Sequence, residues 1–155
     1  ARIGRLLDET GAMAAGFCLE ITESRAMSNP VQVLDCLRQL KAMGFELSLD
    51  DFGAGHSSLA CLSSFPIDEL KIDRQFIEHC QLPGDQEVIR LLVQLGQLRG
   101  LRVVAEGVET RQALEVLTEL GCDQIQGQLV AGALSLDDFQ RWYAEQEQGL
   151  WALRA

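Results

Sequence analysis

Glu46-Leu47-Ser48-Leu49-Asp50-Asp51-Phe52-Gly53-Ala54-Gly55 holds in one short stretch the unit from which the rest of the chain is built. Glu46 to Leu49 reads as a short β-strand, two carboxylates follow it, and a glycine-bearing turn leads away. Gly53-Ala54-Gly55 has the wrong spacing for a GxGxxG phosphate loop, and no P-loop lysine accompanies it. An open doubly wound sheet normally advertises such a loop. A (β/α) barrel instead gathers its polar chemistry at the C-terminal ends of several strands, and that is where the unusual residues lie.

The same unit recurs on both sides. Strand-like runs are Phe17-Cys18-Leu19-Glu20-Ile21, Glu69-Leu70-Lys71-Ile72, Arg102-Val103-Val104-Ala105 and the weaker Asp123-Gln124-Ile125. Each is short and rich in branched or apolar residues, as suits strands covered on both faces. Between them lie helical stretches with start and stop signals. Asn29-Pro30 sets a capping side chain before a proline, Val31, Leu34, Leu37 and Leu40 form a stripe, and Gly44 ends it. From Asp85, the residues Val88, Leu91, Leu92, Leu95 and Leu98 form a second stripe up to Gly100. Thr110 opens a third, with Leu114, Leu117 and Leu120 before Gly121, and Ser135 with Asp138 resembles a capping box. Repeated β-α units predict an α/β fold with about five parallel strands, a TIM-type barrel of which only part is visible, since a complete one has eight strands.

Length and composition agree. The 155 residues suit a single domain, and 47% apolar with 23% charged residues is ordinary for a globular fold. No apolar run approaches the ~18 residues of a membrane span. A formal charge of −10 argues against a nucleic-acid polymer as partner, because such binders need Lys and Arg to displace counterions. An anionic small molecule would need a cation between it and this surface. The five cysteines are odd in number, scattered and without a CxxC pair, which predicts free thiols in a reducing cytoplasm. Cys18 and Cys36 sit in apolar patterns where a thiol serves as a small buried hydrophobe.

The strand ends carry Glu20 with Glu23, Asp50-Asp51, Lys71 with Asp73, Glu106 with Glu109, and Gln126. The leading residues are 30, 21, 35 and 20 positions apart, roughly one β-α unit each, so a parallel barrel brings them to one mouth. Several carboxylates in one mouth raise one another's pKa, and divalent cations relieve that conflict. Hard oxygen ligands suit Mg2+ or Mn2+, and two metals can share a bridging carboxylate. Singly, each residue also has a structural reading as a cap, a loop anchor or a salt-bridge partner; five in succession point to a site.

Glu20-Ile21-Thr22-Glu23, Asp50-Asp51-Phe52-Gly53-Ala54-Gly55, Lys71-Ile72-Asp73, Ala105-Glu106-Gly107-Val108-Glu109 and Gln126-Gly127 together resemble the successive motifs of the EAL family, cyclic di-GMP phosphodiesterases with a barrel fold. The resemblance implies two-metal hydrolysis of cyclic di-GMP to linear pGpG. It implies Glu20 and Asp50 as metal ligands, Asp50 bridging, with Asp51 serving the second metal. Lys71 and Glu106 would position or activate the attacking water, Gln126 would assist, and Glu23 would order the loop from Phe52 to Ser64. It further implies that residues 1–155 are the C-terminal portion of the barrel, with the N-terminal strands missing, in a protein with room for an upstream sensory or GGDEF-type domain.

The chain departs from the family at identifiable places. The Glu-Ala-Leu signature and an asparagine ligand precede the matched motifs and are absent, His56 replaces a tyrosine, and Gln128-Leu129-Val130-Ala131-Gly132 replaces an aromatic-rich segment. Two other readings therefore stand beside the enzyme: a degenerate module that binds cyclic di-GMP or a protein partner without hydrolysis, and an unrelated barrel lyase. Unpaired strand edges also predict a homodimer or larger self-association.

Overall fold

Each strand pairs with the next in sequence. β1 (Cys18–Thr22), β2 (Glu46–Phe52), β3 (Glu69–Ile72), β4 (Arg102–Glu106) and β5 (Gln124–Gln126) form one parallel sheet in the order β1-β2-β3-β4-β5. The computed structural model describes residues 2–53 and 63–148. Its helices are α1 (Arg2–Thr10), α2 (Glu23–Ser28), α3 (Pro30–Ala42), α4 (Arg74–Ile77), α5 (Pro83–Arg99), α6 (Arg111–Leu120) and α7 (Leu136–Gln148). A spatial order identical to the chain order is that of a barrel wall; a doubly wound sheet would reverse at a switch point.

Alternation sorts the side chains onto two faces. Leu47, Leu49, Leu70, Ile72, Val103 and Ala105 all point to the helical face and are essentially fully buried. Each large aliphatic among them contributes about 1.5–3 kcal/mol of transfer free energy. Two contiguous cores result, one under α2 and α3 and one under α5 and α6. The opposite face carries Glu20, Ser48, Asp50, Lys71 and Glu106. Near its N-terminal rim, Arg102 ties β2 to β3 through Glu46 at 2.5 Å and Glu69 at 3.3 Å.

β2 breaks the alternation at the decisive point. Leu49 pairs with Leu70 and Phe52 with Ile72, so Asp50 and Asp51 together stand opposite Lys71 alone. This is a β-bulge, with Asp51 in the left-handed region at φ 57°. The extra residue returns Phe52 to the same core as Leu49 while leaving both carboxylates at the strand end. β2 thus runs three residues beyond Leu49; β1, β4 and β5 each extend one residue past the sequence expectation.

The predicted caps are present. Asn29 accepts from Gln32 N at 3.4 Å, Thr110 from Ala113 N at 3.1 Å and Ser135 from Asp138 N at 3.2 Å. Gly100 and Gly121 close α5 and α6 in the left-handed conformation. The second stripe, however, is rotated: α5 buries Ile89, Val93 and Gly96, whereas Leu91 and Leu98 are 62% and 85% exposed. The cause is Gly96, where an added Cβ would lie 2.2 Å from Val103 Cγ2, so the helix docks on β4 through its glycine. In α3 only Val31 of the expected stripe faces outward; Leu37 is buried, and Leu34 and Leu40 pack against the core. Cys18 and Cys36 are exposed, against the expectation of buried thiols, because Cys18 starts the edge strand β1 and Cys36 lies off the buried side of α3; Cys80 takes the buried role.

Candidate functional site

Parallel strands deliver Glu20, Asp50, Lys71, Glu106 and Gln126 to one end of the sheet, and Lys71 is the centre of what gathers there. Its side chain is only 4% exposed, and Nζ lies 2.9 Å from Glu20 Oε1, 3.3 Å from Asp50 Oδ1 and 2.5 Å from Glu106 Oε1. Burial alone would push this ammonium down. Hydrogen bonds to Glu106 and Glu20 and the charges of Glu106 and Asp50 outweigh it, and the pKa stands above the ordinary lysine value. Lys71 is therefore a fixed cation, a donor and not a base.

Asp50, Asp51 and Glu106 each offer a carboxylate oxygen, and the three oxygens lie within 4.8 Å of one another. Burial raises the Glu106 carboxyl, Lys71 opposes the rise, and Asp50 and Glu20 add to it. Asp51 is also raised, by burial and then by Asp50 and Asp73, with Lys71 opposing. Asp50 Oδ1 is buried and accepts no hydrogen bond. Glu20 is not one of these three; its contact is the ion pair with Lys71. Gln126 sits beside Glu106 in the sheet register, exposed at the rim. Glu23 opens α2, is buried, and accepts from Gly53 N at 3.2 Å through Oε2. Residues 54–62 of the expected Glu23-dependent loop, including His56, lie outside the described residues.

A cleft of about 580 Å3 opens beside the cluster, lined by Asp51, Glu106 and Gln126 together with Asp73, Arg74, Glu109 and Gln128. The last four carry no site role in the sequence reading. Asp73 and Glu109 stood next to assigned residues at two strand ends; Arg74 and Gln128 gave no signal beyond the departure from the family pattern at Gln128.

Fold and site define a TIM-barrel-like α/β protein with a lysine-centred carboxylate cluster of the kind that holds divalent cations. The family model described as EAL domain matches residues 1–133, and the chain belongs to the EAL domain family. It is 49% identical over 113 residues to MucR of Pseudomonas aeruginosa, a bifunctional diguanylate cyclase/cyclic di-GMP phosphodiesterase, covering 72% of this chain and 16% of MucR. The solved complex of PaMucR phosphodiesterase with c-di-GMP superposes with a TM-score of 0.84 at 40% identity, over 88% of this chain and 56% of that one. The manganese/cyclic di-GMP complex of Klebsiella pneumoniae BlrP1 at pH 9.0 gives 0.77 at 31% identity, over 83% and 34%. The chain thus spans less than a fifth of MucR and less than two thirds of these solved chains.

Proposed function

We propose that this chain carries the catalytic cluster of a cyclic di-GMP phosphodiesterase that hydrolyses one phosphodiester bond of the ring to give pGpG. The single observation that carries the reading is Lys71, buried and paired at once with carboxylates from β1, β2 and β4. Relatives named as phosphodiesterases support it.

The donor set fits a divalent cation, Mg2+ or Mn2+. Three hard carboxylates converge, and the buried Asp50 Oδ1 makes no hydrogen bond, its one cationic neighbour among the described residues being Lys71 Nζ at 3.3 Å. Asp50 and Asp51 would hold the cation, with Glu20 and Glu106 adding charge across Lys71, and it would stabilise the charge that develops on the phosphate oxygens. The chain's own groups do the rest. Lys71, held as a cation, orients the attacking water and offsets the carboxylates around it. Glu106, raised by burial, has an affinity for a proton above that of an ordinary carboxylate and takes the proton the water gives up. As the water oxygen bonds to phosphorus, the bond to one ribose oxygen breaks, and that oxygen takes a proton from solvent as it leaves. Gln126, at the cleft rim, contacts the same ligand.

In the full-length protein, Glu106→Gln is expected to lower kcat by ~10²–10⁴, the range for loss of a positioned acid–base group. Asp50→Asn is expected to abolish the heat of Mn2+ binding in calorimetry. Binding of cyclic di-GMP without turnover by the unmutated protein would return the chain to the non-hydrolysing modules; equal Mn2+ binding by Asp50→Asn would remove the metal from this cluster.

Self-association belongs to the same proposal, through the face of α5 that Gly96 turns outward with Leu91 and Leu98 one heptad apart. A Leu91→Glu, Leu98→Glu double variant of the full-length protein should sediment at a lower mass than the unmutated protein, and an unchanged mass would exclude this face. A GGDEF-type or sensory domain elsewhere in the protein is proposed from the bifunctional MucR. A cytoplasmic setting is proposed from the free thiols of Cys18, Cys36, Cys80 and Cys122, and cell fractionation checks it.

A further inference from the structure

Ser48 lies fully buried on the inner face of β2 and takes no part in the chemistry above. Its Oγ makes no hydrogen bond among the described residues. A buried hydroxyl left without a partner is costly, and folded proteins satisfy nearly all such groups, with internal water where no protein atom reaches.

Strand register sets what surrounds it. Ser48 pairs with Glu20 on β1 and with Glu69 on β3, so the three residues form one row across adjacent strands and share the inner face. Each glutamate spends one carboxylate oxygen on a cation. Glu20 Oε1 accepts from Lys71 Nζ at 2.9 Å, toward the C-terminal end of the sheet. Glu69 Oε2 accepts from Arg102 Nε and Nη2 at 3.3 Å each, toward the N-terminal end. Their other oxygens, Glu20 Oε2 and Glu69 Oε1, make no hydrogen bond among the described residues. Both charges reach one common neighbour. Two residues before Glu20, the Cys18 thiol is pushed up by burial, then by Glu69 and Glu46, with Arg102 opposing and Glu20 adding. The row thus presents two acceptors that cannot donate and, between them, a hydroxyl that can do either. A neutral group with two protons to give completes it. A cation fits less well, because Lys71 and Arg102 already supply positive charge on both sides.

We propose that Ser48 holds an internal water that accepts from Ser48 Oγ and donates to Glu20 Oε2 and Glu69 Oε1, which makes Ser48 a positioning residue for the Lys71 cluster. Three hydrogen bonds are the usual number for a buried water. The bridge steadies Glu20, whose side chain is half exposed and otherwise bonds Lys71 alone among the described residues. Through Glu20 it holds the Lys71 ammonium that orients the attacking water. The effect on turnover rests on the phosphodiesterase reading; the water itself does not.

Two measurements on the full-length protein test the assignment. A crystal structure should show a water about 2.8 Å from Ser48 Oγ and from both carboxylates, and Ser48→Ala should lose it. No water there, or one that keeps its place in Ser48→Ala, overturns the site. In turnover of cyclic di-GMP, Ser48→Ala should lower kcat about tenfold and leave KM unchanged, the size of one lost hydrogen bond. The same substitution should cost nothing further in a Glu20→Ala background, because Ser48 acts through Glu20. An equal loss in both backgrounds, or a loss confined to KM, overturns the positioning role, since neither passes through the Lys71 pair. An unmutated protein that shows the water but does not hydrolyse cyclic di-GMP overturns the phosphodiesterase reading and leaves the water site standing.

Discussion

Lys71→Met is expected to destabilise the protein by about 3 kcal/mol at pH 8 and to lower kcat by ~10³ or more, because one side chain serves both fold and site. The lysine is the cation that lets Glu20, Asp50 and Glu106 approach one another from three strands. Methionine fills the volume but leaves those carboxylates facing each other in a partly dry place, the expensive half of a broken ion pair. The pH dependence has a definite sign. Lys71 lies above its ordinary value of 10.5, so it is charged in folded and unfolded chains alike from pH 5 to 8; the stability it confers is lost only as the pH rises through its folded value. The slope in the variant therefore belongs to the carboxylates. Glu106 and Asp51 are already raised, and removing Lys71 raises them further, so the folded state takes up protons that the unfolded chain does not. The deficit should be greatest at pH 8 and shrink toward pH 5. Mn2+ should shrink it as well, by supplying the missing positive charge. Urea denaturation of the unmutated and Lys71→Met full-length proteins, at both pH values and with and without Mn2+, reads all three effects. A constant deficit, indifferent to pH and metal, would show that Lys71 matters by packing alone.

What could be read from the sequence was what local chemistry writes down. Asn29, Thr110 and Ser135 announce helix starts through side-chain oxygens that accept backbone N–H groups, and Gly100 and Gly121 announce ends through left-handed backbone; all five do this in the structure. The strands were legible because their apolar residues and polar ends recur at β-α spacing. What stayed hidden depends on partners distant in sequence. The rotation of α5 is set by Gly96 meeting Val103, so a leucine count on the helix alone took in the exposed Leu91 and Leu98 and missed Ile89 and Val93, while Leu92 and Leu95 do pack against the core. The convergence of Asp50, Asp51 and Glu106 is legible from strand-end spacing, but the bulge that sets both Asp50 and Asp51 opposite Lys71 shows only as a register shift against β3. The backbone bonds that tie Val108 to Gln126 and Leu129 leave no trace in residue type at all.

The bulge also supplies the second large effect. Asp51 is the only described non-glycine residue with positive φ, at 57°, so the strand holds a carboxylate where an ordinary side chain is strained. Left-handed backbone costs an L-residue about 1–2 kcal/mol, and Asp and Asn tolerate it best. Three substitutions separate the backbone from the charge. Asp51→Asn keeps the tolerance and loses the charge, so its stability should stay close to that of the unmutated protein. Asp51→Ala keeps a Cβ in the strained region without the polar compensation. Asp51→Gly removes the strain together with a carboxylate that burial, Asp50 and Asp73 all push toward its neutral form. The glycine variant should therefore exceed the alanine variant in stability by about 1 kcal/mol, and match or exceed the unmutated protein. Activity should move the other way. All three lose one of the three converging oxygens, and kcat should fall by ~10² or more in each, with weaker Mn2+ binding. Denaturation and turnover measured on the same preparations give both readings. Equal stability of Asp51→Ala and Asp51→Gly would mean that the backbone there is not held left-handed, and retained turnover in Asp51→Asn would mean that the carboxylate is not a ligand. A gain in stability with loss of turnover in Asp51→Gly is the signature of strain kept at a functional position because the chemistry needs the side chain there.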